Sequence, residues 1–190
     1  ERVATKLALA SQQAVNLPGQ PHAGLSIATT ALSVIGGGKV WLDNLSTAAL
    51  TVSGISAGQT GPSGLLDGDV VLRSLASAIT LDGDLTAAGA DGRVEIDAAG
   101  TGASLTIRNA RVKAATVVFD SNLQLLTSDS GRVEASRLEF QTFLGAGVGA
   151  AAAPFLIDLQ GDNASVTGRL SGSLDRRESS GALGLDRLEV

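Results

Sequence analysis

The chain has 190 residues, enough to bury a sizeable core in one domain or two, with 44% hydrophobic residues but only 3% aromatic: one Trp, four Phe and no Tyr. Net charge is −5 and the pI is near 4.8, which excludes the basic footprint of a nucleic-acid or anionic-lipid binder. With no Cys, disulfide frameworks, thiolate metal sites and Cys nucleophiles are excluded together, and the composition suits an exported bacterial protein.

In chain order, residues 1–14 carry apolar side chains at Val3, Leu7 and Ala10 around Lys6 and are expected as one short helix, with an irregular strand followed by a loop as the alternative. Asn16-Leu17-Pro18-Gly19-Gln20-Pro21 is a turn, because two prolines cannot join a ladder. Residues 1–24 are accordingly expected to be a capping or linker segment, and 25–190 one continuous β-repeat domain cut from a longer array. Strands are expected over 25–27, 31–35, 39–42 and 49–52, with Gly36-Gly37-Gly38 as a corner. Gly58 to Gly64 reads as an outward loop.

The densest stretch, 67–140, is strand after short strand. Arg93-Val94-Glu95-Ile96-Asp97-Ala98 alternates strictly between apolar and charged residues, the two-residue period of a strand with one buried and one wet face. Further strands are expected at 69–73, 77–81, 104–108, 116–120 and 123–126, each gap marked by Gly, Asp, Asn or Ser. Residues 143–154 are small and nearly chargeless and form either a buried loop or a short helix ended by Pro154. Strands resume at 155–159, 165–170 and 182–185, and 186–190 alternates again.

Internal echoes accompany this rhythm. Gly92-Arg93-Val94-Glu95 recurs 39 residues on as Gly131-Arg132-Val133-Glu134 (92 to 131). Leu66-Asp67-Gly68-Asp69-Val70 recurs after 15 as Leu81-Asp82-Gly83-Asp84-Leu85 (66 to 81). A fainter echo links Ala31-Leu32-Ser33-Val34 to Asn163-Ala164-Ser165-Val166, as one repeat and the start of the next would. Short strands, irregular periods and a core of Val, Leu, Ile and Ala favour a mainly β chain wound as a parallel β-solenoid (β-helix), its coils stacked about 4.8 Å apart. The alternative is an antiparallel β-sandwich, which ordinarily shows larger core aromatics and clear two-residue hairpins.

Candidate chemistry is sparse. Asp67, Asp69, Asp82 and Asp84 crowd turns and are the candidate calcium ligands, since Ca²⁺ takes six to eight oxygens. Neither an EF-hand loop nor the calcium-binding nonapeptide is present, and Asp-Gly is foremost a turn former. His22 is the single histidine and has no metal-ligand or triad pattern around it. Gly36-Gly37-Gly38-Lys39 lacks the Walker spacing. Arg108, Arg111 and Lys113 form one basic group and Arg132 and Arg137 another, for ladders with acids or an anion- or glycan-binding groove. Trp41 is expected in core or coil-end packing ahead of sugar stacking. Asn163-Ala164-Ser165 has the form of a glycosylation sequon. No catalytic constellation is present, and the chain reads as a non-enzyme. No run of 18 apolar residues exists to form a membrane-spanning helix.

The stretches Gly68-Asp69-Val70-Val71-Leu72, Ile79-Thr80-Leu81-Asp82-Gly83-Asp84-Leu85, Gly92-Arg93-Val94-Glu95-Ile96-Asp97-Ala98-Ala99-Gly100 and Ala49-Leu50-Thr51-Val52-Ser53 resemble the filamentous-haemagglutinin-type repeats of large bacterial surface adhesins. Gly145-Ala146-Gly147-Val148-Gly149 before Pro154 is similar to a junction in such arrays. The resemblance spans most of 25–190 and rests on rhythm more than on invariant motifs. It implies a secreted, cell-surface, right-handed β-helical stalk or adhesive segment, with a host-cell, glycan or matrix surface, or neighbouring copies of itself, as partner. Two other classes stay open. Thr167-Gly168-Arg169-Leu170-Ser171-Gly172-Ser173-Leu174 also resembles the AsmA superfamily, which implies an open lipid-carrying β-groove. A strand-exchanging pilin or matrix subunit, with the first 14 residues as donor strand, is the third.

Overall fold

The computed structural model describes residues 5–15, 24–58, 60–61, 64–65, 68–144, 147–162, 164–178 and 185–189, the last five and 60–61 and 64–65 in their backbone alone. The fold is a parallel β-solenoid of about six turns, all strand and without a helix among these residues. Every pairing between strands is parallel except the two-residue hairpin Thr60–Gly61 with Gly64–Leu65. That hairpin sits where an outward loop is expected.

Each coil contributes to three ladders. The first runs through Val40–Asn44, Asp69–Ser74, Arg93–Ala98, the second half of Arg111–Ser121, the second half of Arg132–Thr142 and Ser165–Arg169. The second follows through the first half of Leu50–Ala57, then Ile79–Leu81, Leu105–Ile107 and Leu125–Thr127, and continues as single bridges at Val148 and Leu174. The third takes the second half of Leu50–Ala57, Leu85–Ala87, the first halves of the two long strands, Phe155–Leu159 and Arg176–Glu178. Sheet faces succeed one another within a coil because small turn residues bend the chain, while the hydrogen bonds run between coils.

Register explains the core. Val40, Val70, Val94, Val117, Leu138 and Val166 stand over one another, separated by steps from 21 residues (117 to 138) to 30 (40 to 70). None of the six is more than 1% exposed. Two positions further along each strand, Leu42, Leu72, Ile96, Phe119 and Phe140 form a parallel stack. A slip of one residue would turn all of these outward, so burial holds the register. Burial of each large side chain contributes about 1.5–3 kcal/mol. A second, polar stack closes one inner corner. Asn44 Oδ1 accepts from the Thr29 amide at 3.0 Å, the Ser74 and Ser77 hydroxyls lie 2.8 Å apart, and Ser121 Oγ donates to the Gln124 carbonyl at 2.9 Å. Asn44 and Ser121 thereby satisfy backbone groups at the turn, and Ser74 and Ser77 satisfy each other.

The irregular coil length accounts for the echoes. Gly92 precedes a strand of the first ladder, whereas Gly131 precedes one of the third, so the 39-residue echo repeats a corner and not a coil. The 15-residue echo likewise joins two corners of a single coil, Gly68 and Gly83. Ala31–Gly36 lies on the second and third ladders and Ser165–Arg169 on the first. The 132-residue echo therefore does not superpose.

The structure corrects two expectations. Leu7–Ser11 is a strand, not a helix: Leu7 and Leu9 stack on Leu32 and Val34, and alternation along five residues serves a two-residue period. This strand pairs in parallel with Ala31–Gly36 and so joins the same column. Around 143–154, Phe143 and Leu144 are exposed, Val148 is a buried rung of the second ladder, and Ala150 bridges Ala153 before Phe155 begins the next strand. A coil segment takes the place of the expected buried loop or short helix.

Candidate functional site

With the interior filled, chemistry is confined to the outer faces and corners. At the corner between the second and third ladders, acids and bases alternate from coil to coil. Asp82 accepts from Arg108 through both oxygens, at 3.0 and 2.8 Å, and from Asn109 at 3.0 Å. Arg108 and Asn109 hold the Asp82 carboxyl below the usual carboxylate range, and Asp82 in turn raises the guanidinium. Asp84 accepts from the Arg111 amide at 2.8 Å. Lys39 pairs with Asp69 across one rung of the first ladder.

Of the four candidate calcium ligands, Asp67 lies outside the described residues, as do His22 and Asn163. Asp69, Asp82 and Asp84 are each turned to a cation on a neighbouring coil. Among the described residues no group of three or more His, Cys, Asp or Glu side chains is placed to hold a metal ion. These aspartates serve corners, as Asp-Gly turn chemistry requires. Because this Arg108–Asp82 pair lies at the solvent-accessible surface, Arg108→Ala is expected to leave the thermal midpoint almost unchanged, which differential scanning calorimetry at two salt concentrations checks.

Of the basic residues singled out in the sequence, Arg108 and Arg111 pair with Asp82 and Asp84, and Arg111 stands in register with Arg132 on the next coil. Arg93 and Arg73 reach Glu95 at 3.2 and 3.4 Å, and Arg132 reaches Glu134 at 3.0 Å. Trp41 is outward-facing, not in the core: the Arg73 guanidinium lies 5.6 Å from its ring centroid, a cation–π contact. The side chain of Arg73 thus ties Trp41 to Glu95 across three coils.

The outer surface also carries concave regions. A cleft of about 480 Å³ opens on the first ladder between Asp120, Glu139, Gln141, Thr167 and Arg169. Behind it the Phe140 ring takes the space a Cβ on Gly168 would fill. A groove of about 470 Å³ follows the corner from the third ladder to the first, floored by Ala87, Ala88, Ala114 and Ala115, with Lys113, Glu134 and Asp158 along one wall. Alanine and glycine at successive corners produce this furrow simply by carrying little side chain.

Sequence reading places Asp97 among the acids of the ladders but passes over Asp120, which stands on it. The outermost positions of the first ladder stack as Asp43, Arg73, Asp97, Asp120, Gln141 and Arg169, so two carboxylates are neighbours in the middle. Burial pushes Asp120 up to about 6, reinforced by Asp97, Glu95 and Glu139 and opposed by Arg93. Burial also raises Asp97, with Arg73 opposing and Glu95 adding. The signal was present in the sequence: setting Arg93-Val94-Glu95-Ile96-Asp97 above Thr116-Val117-Val118-Phe119-Asp120 places one Asp on the other.

Comparison with family models, curated proteins and solved structures finds no match for the chain.

Proposed function

We propose that this solenoid is a non-catalytic structural and adhesive segment of an exported bacterial surface protein, acting as stalk and contact surface. The observation that carries the reading is the closed column: valines and leucines of successive coils fill the interior at 1% exposure or less, while inter-coil hydrogen bonds run along one direction. Such a column resists extension cooperatively and offers its faces, not its interior, to partners. Those partners are a host-cell, glycan or matrix surface, or further copies of the chain.

The same observation bears on the two other classes. An AsmA-like lipid carrier needs a continuous open apolar trough, and the described interior is occupied by the chain's own side chains. A donor-strand subunit needs a free first strand, whereas Leu7–Ser11 is paired along its length with Ala31–Gly36. Native mass spectrometry of the purified protein tests the choice between stalk and carrier: the chain is expected to fly without bound lipid. Stoichiometric co-purified lipid would overturn the stalk reading. Protease shaving of intact source cells tests the location, with release of fragments of this chain as the expected result and full protection as the contrary one.

A further inference from the structure

Several charged positions of this solenoid meet an opposite charge on a neighbouring coil, and the middle of the first ladder does not. Asp97 has Arg73 beneath it, and Asp120 stands directly over Asp97 in register. Above Asp120 comes Gln141, a neutral amide, and Arg169 is one coil further away. In-register strands lie about 4.8 Å apart, and like charges directly opposite one another repel. The adjoining outward positions add to the repulsion, since Glu95 on the coil below and Glu139 on the coil above flank Val118. Arg93 is the cation acting on Asp120 from the strand beneath, and it already bonds Glu95. Another acid-on-acid step, Glu134 with Asp158, differs in having Lys113 below and Arg132 bonded to Glu134. Asp120 has no basic residue at either neighbouring rung.

We propose that the Asp97–Asp120 step is a proton-controlled latch: one proton held between the two carboxyls joins the coils 93–98 and 116–121 on their outer face, and its loss leaves two adjacent negative charges that push them apart. The cleft beside Asp120 gains negative charge in the same event. This inference rests on the register of the column and stands whether or not the surface role proposed above is correct.

The sign follows from linkage. Asp120 is raised from 3.8 to about 6, so between those values the folded chain binds more protons than the unfolded one. The stabilisation is fully present below the unfolded value and is lost as pH rises through about 6. From pH 5 to pH 7.5 the unfolding constant is expected to rise roughly three- to tenfold, the lower figure allowing for solvent screening at a half-exposed site.

Carboxyl-detected NMR titration of the intact chain is the direct test, and it needs no variant. Asp120 titrating near 6 supports the latch, and titration in the ordinary range near 4 overturns it. Denaturant unfolding across the same pH range provides the second readout. Asp120→Asn is expected to flatten the pH dependence, while the control Asp84→Asn keeps it. Gln141→Lys, which places a cation over Asp120, is expected to return its titration toward the ordinary range. An unchanged pH slope in Asp120→Asn would refute the proposal.

Discussion

Replacing Phe119 with alanine is expected to lower the unfolding free energy by about 3–5 kcal/mol, the cost of truncating a large ring in a packed interior. Phe119 is fully buried, and its ring meets that of Phe155 edge to face, with centroids 6.3 Å apart and planes at 81°. Such a pairing adds about 0.5–1.5 kcal/mol beyond the area buried. The position matters as well as the size. Phe119 belongs to the stack of Leu42, Leu72, Ile96 and Phe140 and reaches from the first ladder to Phe155 of the third. It therefore ties two faces of the column together. Solenoid coils touch only their neighbours, so damage should spread locally. Hydrogen exchange should show protection lost first over 93–98 and 137–142, while urea titration followed by circular dichroism gives the total. A loss below about 1 kcal/mol would mean that the two rings do not pack as described.

Gly83→Ala should cost about 3 kcal/mol or more, for a different reason. A Cβ there would overlap the carbonyl oxygen of Ser53 on the coil beneath. The approach is held by two backbone hydrogen bonds, Asp82 N to the Val52 carbonyl at 2.8 Å and Ile55 N to the Asp84 carbonyl at 3.0 Å. Backbone cannot step aside as a flexible side chain can, so the methyl group must prise the coils apart and lengthen both bonds. Gly102→Ala is the control. Gly102 has φ of 70°, yet nothing lies within 4 Å of its would-be Cβ, so it should lose only the about 1–2 kcal/mol of left-handed strain. Thermal melts of the two variants side by side decide the point: equal losses would remove the inter-coil contact as the cause.

Sequence and tertiary structure divide the molecule unevenly. Strand identity was legible wherever one face is buried and the other wet. Arg93–Ala98, Phe155–Leu159 and Leu25–Ile27 coincide with the expected segments residue for residue, because alternation is a local property of the chain. The stacked-coil architecture followed from short strands, abundant small apolar residues and glycine-marked corners. Leu85–Ala87 was not legible because it follows directly on the turn residues Asp82-Gly83-Asp84, and Arg176–Glu178 because its three residues are all charged and show no apolar face. The strand at Leu7–Ser11 was ambiguous for another reason: Val3, Leu7 and Ala10 also fall at the spacing of one helical face.

What the residues determined alone is the kind of column, a slender stack with a core of modest side chains and corners rich in Asp and Gly. What only the tertiary structure decided is which residues face each other across coils. The loops between strands vary in length, so the distance along the chain between stacked residues changes from turn to turn, and no fixed period reveals it. That is why Asp82 finds Arg108 instead of a calcium ion's other ligands, why Trp41 lies outside under Arg73, and why Asp97 and Asp120 meet. Partners in a solenoid are chosen by register, and register is set by the buried face of the whole stack.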